Sequence, residues 1–266
     1  MSSHETDETA VRTLAIDTHV HSEGSYDGHE PVDLLLEHAA DIGLDGIVVT
    51  DHDTIEKSLE AARRASRHGL VGVPGVELST AHGHLLAIGV EEVPERGLPF
   101  EEAVERVREL GGATVVPHPF QRTRHGVRRR HLAECEPEPH ALEVYNSMLF
   151  TGYRNRRAAT FAETYDYPQL GGSDAHFVPN VGRAYTEVDV EADPDTPADE
   201  IDVGAVVEAI RKGDTGVRGR RTPIRKSATQ YAAGAARKAA YEVTSRMPYV
   251  PAWPSGYTSA QPHSQR

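Results

Sequence analysis

Nine side chains, His19, His21, Asp27, His52, Glu77, His84, His118, Asp174 and His176, combine residue type and position in a way that points to metal chemistry. Imidazole nitrogen and carboxylate oxygen are the donors that suit zinc, manganese and iron, and nine of them exceed what a single ion takes. Cys135 is the only cysteine, so neither an intrachain disulfide nor a thiolate cluster can form. Any metal is therefore held by nitrogen and oxygen, and the first reading is a metallohydrolase.

Such residues act together only if the fold gathers them, and the sequence predicts elements that do so. Val11 to Asp17 is a β-branched, apolar run, followed by a polar loop and a helical pattern from Pro31 to Ile42, with proline in its first turn and Gly43 at its end. Gly46 to Thr50 reads as a strand buried on both faces, and Ile55 to His68 as a helix. Further strands are expected at Leu70 to Val76, Leu85 to Val90, Ala113 to Val116, Ala141 to Tyr145 and Gln169 to Gly172. Further helices are expected at Phe100 to Leu110, Tyr153 to Thr164 and Val203 to Arg211. This alternation predicts a parallel sheet of about seven units closed into a barrel, with an open doubly wound sheet as the alternative. In a barrel the loops after the strands converge on one face. His19 and His21 are expected after the first strand, Asp51, His52 and Asp53 after the second and Glu77 after the third. His84 would begin a strand, and His118, Asp174 and His176 would follow two later ones. Asp51 and Asp53 flank a candidate ligand, either to orient it or to cap the next helix.

Five segments, Asp17-Thr18-His19-Val20-His21-Ser22, Thr50-Asp51-His52-Asp53, Gly75-Val76-Glu77, Pro117-His118-Pro119 and Gly172-Ser173-Asp174-Ala175-His176, occur in an order that resembles the motifs of the polymerase and histidinol phosphatase (PHP) superfamily. The resemblance covers roughly residues 14–188. It implies an α/β fold, a distorted (β/α)7 barrel of the PHP type, with two or three divalent ions (Mn2+, Zn2+ or Fe2+) and phosphoester hydrolysis. Carried over residue by residue, it implies one ion at His19, His21, Glu77 and Asp174. Glu77 would bridge to a second ion held by His84 and His118, and a third would sit at Asp27, His52 and His176. His29 is the alternative to Asp27, and His82 the alternative to His84. Glu143 and Asn146 resemble a segment of PHP proteins that carry an associated C-terminal extension, as lining or as structure.

The mechanism this implies is attack on phosphorus by a metal-bound hydroxide, with Asp174 or His176 as general acid and an arginine fork on the phosphate. Arg183 and Arg122 rank first for that fork, followed by Arg124. The expected substrate is a phosphomonoester, a nucleotide or the 5′ end of a short nucleic acid. The alternatives are an exonuclease on short RNA or DNA, a non-catalytic metal-binding module, and an amidohydrolase-like enzyme acting on C–N bonds. No obligate protein partner is evident.

At 266 residues the chain suffices for one barrel-sized domain. The expected organisation is a flexible N-terminus (1–12), the barrel (13–222) and a basic helical, then disordered, tail (223–266). No apolar run approaches the roughly 20 residues needed to span a bilayer, and a cytoplasmic location is expected. The net charge of −13 is uneven: residues 1–210 carry 17 basic and 39 acidic side chains, and the remainder 11 and 2. So acidic a body argues against non-specific nucleic-acid binding. Only four of the 28 basic residues are lysine, and an acidic surface with arginine in place of lysine suits a high-salt cytoplasm. The melting temperature is therefore expected to rise with potassium chloride, and a protein equally stable in dilute buffer would contradict that adaptation.

Overall fold

Three of the predicted strands, β2 (Gly46–Val49), β5 (Ala113–Val116) and β7 (Gln169–Gly172), are short and almost wholly buried, as strands covered on both faces must be. The computed structural model describes residues 10–148 and 152–221, together with Ala232 and Ala236. The remaining strands are β1 (Val11–Val20), β3 (Gly75–Thr80), β4 (Gly83–Ile88), β6 (Ala141–Asn146), β8 (Ala184–Glu191) and β9 (Thr215–Gly219). The helices are α1 (Val32–Asp41), α2 (Glu56–Ala65), α3 (Phe100–Glu109), α4 (Arg129–Ala133), α5 (Gly152–Tyr165) and α6 (Val203–Lys212).

Helical periodicity fixes how the outer layer packs. On α3, Phe100, Ala103, Val104 and Val107 are buried at the spacing that lines one face, and they enter a core shared with Val76, Leu85 and Val116. The Asp202 side chain caps α6 by accepting from Ala205 N at 3.0 Å, and Gly213 ends that helix in the left-handed conformation.

Strands β1 to β7 form a distorted seven-stranded ring. β1 pairs with β2, β5 with β6 and β6 with β7, all in parallel. Single bridges complete it: His52 to Glu77 joins the end of β2 to β3, and Val20 to Ala175 joins the end of β1 to the turn after β7. The expectation of a wholly parallel sheet is corrected by β4, which runs antiparallel to both of its neighbours, β3 and β5. A connection of only two residues, Ala81 and His82, separates β3 from β4, too short for a parallel crossover.

Two further corrections follow. The third strand starts at Gly75, not Leu70, so Glu77 lies inside it, and β1 extends to Val20, so it contains His19. Two strands were not expected: β8 lies antiparallel along the first half of β1, and β9 along β8. β8 alternates buried and more exposed residues, the pattern of a strand with one covered face. Among the described residues no helix is long and apolar enough to cross a membrane. The basic segment 227–246 and the terminal stretch 248–266 lie outside the described residues, save Ala232 and Ala236.

Closure of the ring brings β7 against β1 with no room to spare. A Cβ at Gly172 would lie 2.6 Å from Glu143 Oε1 and 2.7 Å from His19 Cβ. Overpacking of this kind costs about 1–3 kcal/mol. Gly172→Ala is expected to lower the melting temperature by at least a few degrees, and a scan matching wild type would show that β7 can move away from β1.

Candidate metal centre

Glu77 is 1% exposed, and five imidazoles surround its carboxylate. Oε2 lies 3.3 Å from His19 Nε2, 3.2 Å from His21 Nε2 and 3.4 Å from His52 Nδ1, while Oε1 lies 2.7 Å from His84 Nδ1 and 3.3 Å from His118 Nε2. The two oxygens thus face different histidine sets, as a bridging carboxylate requires. Two further carboxylates close the cluster. Asp174 Oδ1 lies 3.6 Å from both His19 Nε2 and His21 Nε2, and Asp27 Oδ2 lies 3.4 Å from His52 Nε2 and 3.0 Å from His176 Nε2.

The fold explains each placement. His19 and His21 alternate on β1 and its exit and share a side. In the β3–β4 hairpin Ser79 faces His84, which puts Glu77 and His84 diagonally on one face, within reach of long side chains. His82 sits in the intervening turn, exposed and stacked on His131 at 4.1 Å, so His84 and not His82 joins the cluster. His29 packs beside Phe177, leaving the acidic position to Asp27. His118 and Asp174 have φ of +33° and +54°, conformations that non-glycine residues seldom adopt, and they turn the chain sharply after β5 and β7.

Neighbouring groups hold these donors in position. Glu143 places Oε1 3.0 Å from His19 Nδ1, while its Oε2 accepts from His118 N and Asn146 Nδ2. A carboxylate accepts, so the His19 proton sits on Nδ1 and Nε2 points its lone pair into the cluster. His176 Nδ1 faces the Asp174 carbonyl at 3.0 Å, which fixes its tautomer in the same way. Asp51 accepts from Ser22 N and Oγ, and Asp53 from Ser79 N with Arg96 beside it. Neither caps α2, whose cap position is Ile55 without a side-chain bond. Asp17 ties β1 to the turn after β7 by accepting from Ser173 N, and burial pushes its carboxyl up to about 6.

The donor set fits divalent cations. His19 Nε2 and His21 Nε2 stand 3.2 Å apart, two nitrogens aimed at one region. His118 Nδ1 is buried without a hydrogen-bond partner. Burial, reinforced by His176, drives His21 down to about 3, so it is a neutral imidazole able to donate a lone pair. Triads with donor atoms within 4.8 Å of one another include His19-His21-Glu77, His21-Asp27-His52, His52-Glu77-His84, His21-Asp174-His176 and His19-His118-Asp174. These triads share members, so the nine donors form one continuous cluster.

A cleft of about 810 Å3 opens beside His84, with Tyr26, Arg96, Arg122, Arg128 and Arg130 among its walls. Of the three arginines singled out in the sequence, Arg122 lines this cleft and Arg124 forms an ion pair with Asp174. Arg183 is placed elsewhere: its Nη2 donates to the Arg221 carbonyl at 2.7 Å beside β8 and β9. Of the two arginines ranked first, Arg122 thus adjoins the cluster, while Arg183, immediately before the unforeseen β8, does not line this cleft.

Comparison with known proteins agrees with this geometry. The chain is 32% identical over 193 residues to an uncharacterised protein of Methanocaldococcus jannaschii, covering 68% of this chain and 75% of that one. Among solved structures, a two-domain protein of Bacteroides vulgatus containing a predicted PHP-like metal-dependent phosphoesterase superposes with a TM-score of 0.63 at 21% identity, over 79% of this chain and 66% of that one. A lesion-specific endonuclease of Pyrococcus furiosus gives 0.51 at 17% identity, over 77% of this chain and 57% of that one. These two structures share the fold, and this chain spans two thirds or less of their length. The PHP domain matches residues 17–164 and the PHP-associated region residues 152–215, so the chain belongs to the PHP domain family.

Proposed function

We propose that this protein is a metal-dependent phosphoesterase that hydrolyses phosphomonoesters, nucleotides or the 5′ ends of short nucleic acids. The observation that carries the reading is the buried donor cluster around Glu77 beside an arginine-walled cleft. His19, His21, Glu77 and Asp174 would hold one ion, Glu77, His84 and His118 a second, and Asp27, His52 and His176 a third. When bound, such ions acidify water toward neutrality and neutralise charge on a phosphoryl group. Whether manganese, zinc or iron is native depends on supply as much as on ligands, since nitrogen and oxygen donors accept all three.

The chain's own residues then do the rest. Arg122 offers a guanidinium to the phosphate from the cleft wall. Arg124 is committed to Asp174, whose Oδ2 also accepts from Asn146 Nδ2, so Asp174 is held as a carboxylate and not as a proton donor. His176 is committed as well, with Nδ1 on the Asp174 carbonyl and Nε2 turned toward Asp27, so the proton for the leaving oxygen would come from water. Exonucleolytic cleavage of short RNA or DNA is the second reading, favoured by arginines that continue from the cleft along the surface.

Manganese-loaded protein is expected to release phosphate from at least one of nucleoside mono- or bisphosphates, histidinol phosphate and 5′-phosphorylated oligonucleotides. His19→Ala or a chelator should abolish the release. Metal content without turnover on any phosphoester would support the binding-module reading, and ammonia release from an amide would support the amidohydrolase one. Glu143→Gln keeps the size of the side chain but weakens its hold on His19, and a fall of about 10–100-fold in metal affinity or activity is expected. An unchanged metal titration would remove Glu143 from the machinery.

A further inference from the structure

The arginines of this acidic chain are not evenly distributed. Arg12, Arg64, Arg96 and Arg106 each pair with an Asp or Glu. By contrast Arg122, Arg128, Arg129, Arg130, Arg154, Arg156 and Arg157 are all exposed, and among the described residues none has a carboxylate within 4.0 Å. Seven uncompensated guanidiniums on a chain of net charge −13 form a local field of opposite sign to the rest.

They also share a surface. α4 separates two concavities: Arg130 and Arg128 face the cleft beside His84, and Arg129 faces a groove of about 470 Å3 with Phe120, Tyr153, Arg156, Arg157 and Tyr165. Aromatic rings alternate with the charges in this groove. Arg129 lies 5.6 Å over Phe161 and donates to Tyr165 Oη at 2.8 Å, and Arg157 lies 5.3 Å over Phe120. These contacts brace two exposed guanidiniums against aromatic rings. Tyr153 is 62% exposed, a ring available for stacking, and Tyr165, 45% exposed, packs between Phe161 and Arg129 at the rim. On α5 the arginines Arg154, Arg156 and Arg157 are opposed by one acid, Glu163.

We infer that the α4–α5 face binds single-stranded nucleic acid and leads its phosphorylated end into the cleft beside the Glu77 cluster. The inference rests on the phosphoesterase reading for the end that reacts, but it is a claim about binding. A single strand fits better than an acidic peptide, because guanidiniums match phosphates bidentately and exposed rings stack on bases. It also fits better than a duplex, whose bases are not free to stack. The surface then selects oligonucleotides over mononucleotides, since only a chain reaches from the cleft past α4 into the groove.

Fluorescence anisotropy with a 5′-phosphorylated, single-stranded decamer, as RNA and as DNA, tests this on the full chain. Affinity is expected to rise with length from two to ten nucleotides and to fall with salt. Arg156→Gln with Arg157→Gln should weaken decamer binding about tenfold. Each lost phosphate contact should flatten the slope of log affinity on log salt by about 0.7. Arg156→Lys with Arg157→Lys should restore the slope, which separates lost charge from a damaged fold. Affinity independent of length, a slope unmoved by the glutamine pair, or equal binding of duplex or polyglutamate would each overturn the inference. Phosphate release from a mononucleotide, assayed in parallel, reports on the reaction separately: turnover without strand binding rejects this surface alone, and strand binding without turnover rejects the phosphoesterase reading alone.

Discussion

A carboxylate removed from water inside a ring of imidazoles is the constraint around which this fold is arranged. Burying an ion is costly unless it is paired and hydrogen-bonded. Here Glu77, Asp174 and Asp27 converge with six histidines, all substantially buried. Protonating some imidazoles would balance charge, and the carboxylates do raise His52 to about 9 against the opposing effect of burial. His21 cannot take part, since burial and His176 hold it neutral. Bound cations would balance the acids without charging crowded rings, which would link metal binding to stability of the barrel mouth.

The cluster in turn dictates the backbone around it. The reversed strand β4 interrupts an otherwise parallel ring, and its hairpin with β3 brings His84 diagonally next to Glu77. A parallel crossover would have placed a helix between them. The left-handed conformations of His118 and Asp174 have a similar role: each turns a donor side chain into the cluster just after a short buried strand. Glu143 supports both sides at once, holding the ring of His19 and the backbone of His118 with one carboxylate.

The convergence of the nine donors was legible in the sequence because they sit beside apolar runs, and burial on both faces makes such runs conspicuous. His84 over His82 was legible from the strand pattern that follows. Strand direction was not, since a two-residue connection between β3 and β4 was obscured by reading Leu70 to Val76 as the strand. β8 and β9 were hidden for another reason: Thr186, Val188 and Val190 alternate with charged or polar residues, a half-buried pattern that is weak in an acidic chain. Arg183 lies immediately before β8, where its side chain reaches the Arg221 carbonyl. Glu143 and Asn146 could be noticed from their segment, but that they orient His19 and Asp174 is visible only in three dimensions.

The charge distribution gives the last step. Composition alone argued against nucleic acid, because a net charge of −13 repels a polyanion. That argument treats the surface as uniform, yet at about 0.15 M salt exposed charges separated by more than about 8 Å are largely screened from one another. A strand on the α4–α5 face would therefore feel the arginines within a Debye length and little of the acids on the far side. The acidic remainder then does something useful: it disfavours the same strand everywhere else, so that binding is confined to the one face that adjoins the cleft. A chain can be acidic overall and still hold a nucleic acid in one orientation, provided enough unpaired cations share one face, as the seven arginines around α4 and α5 would.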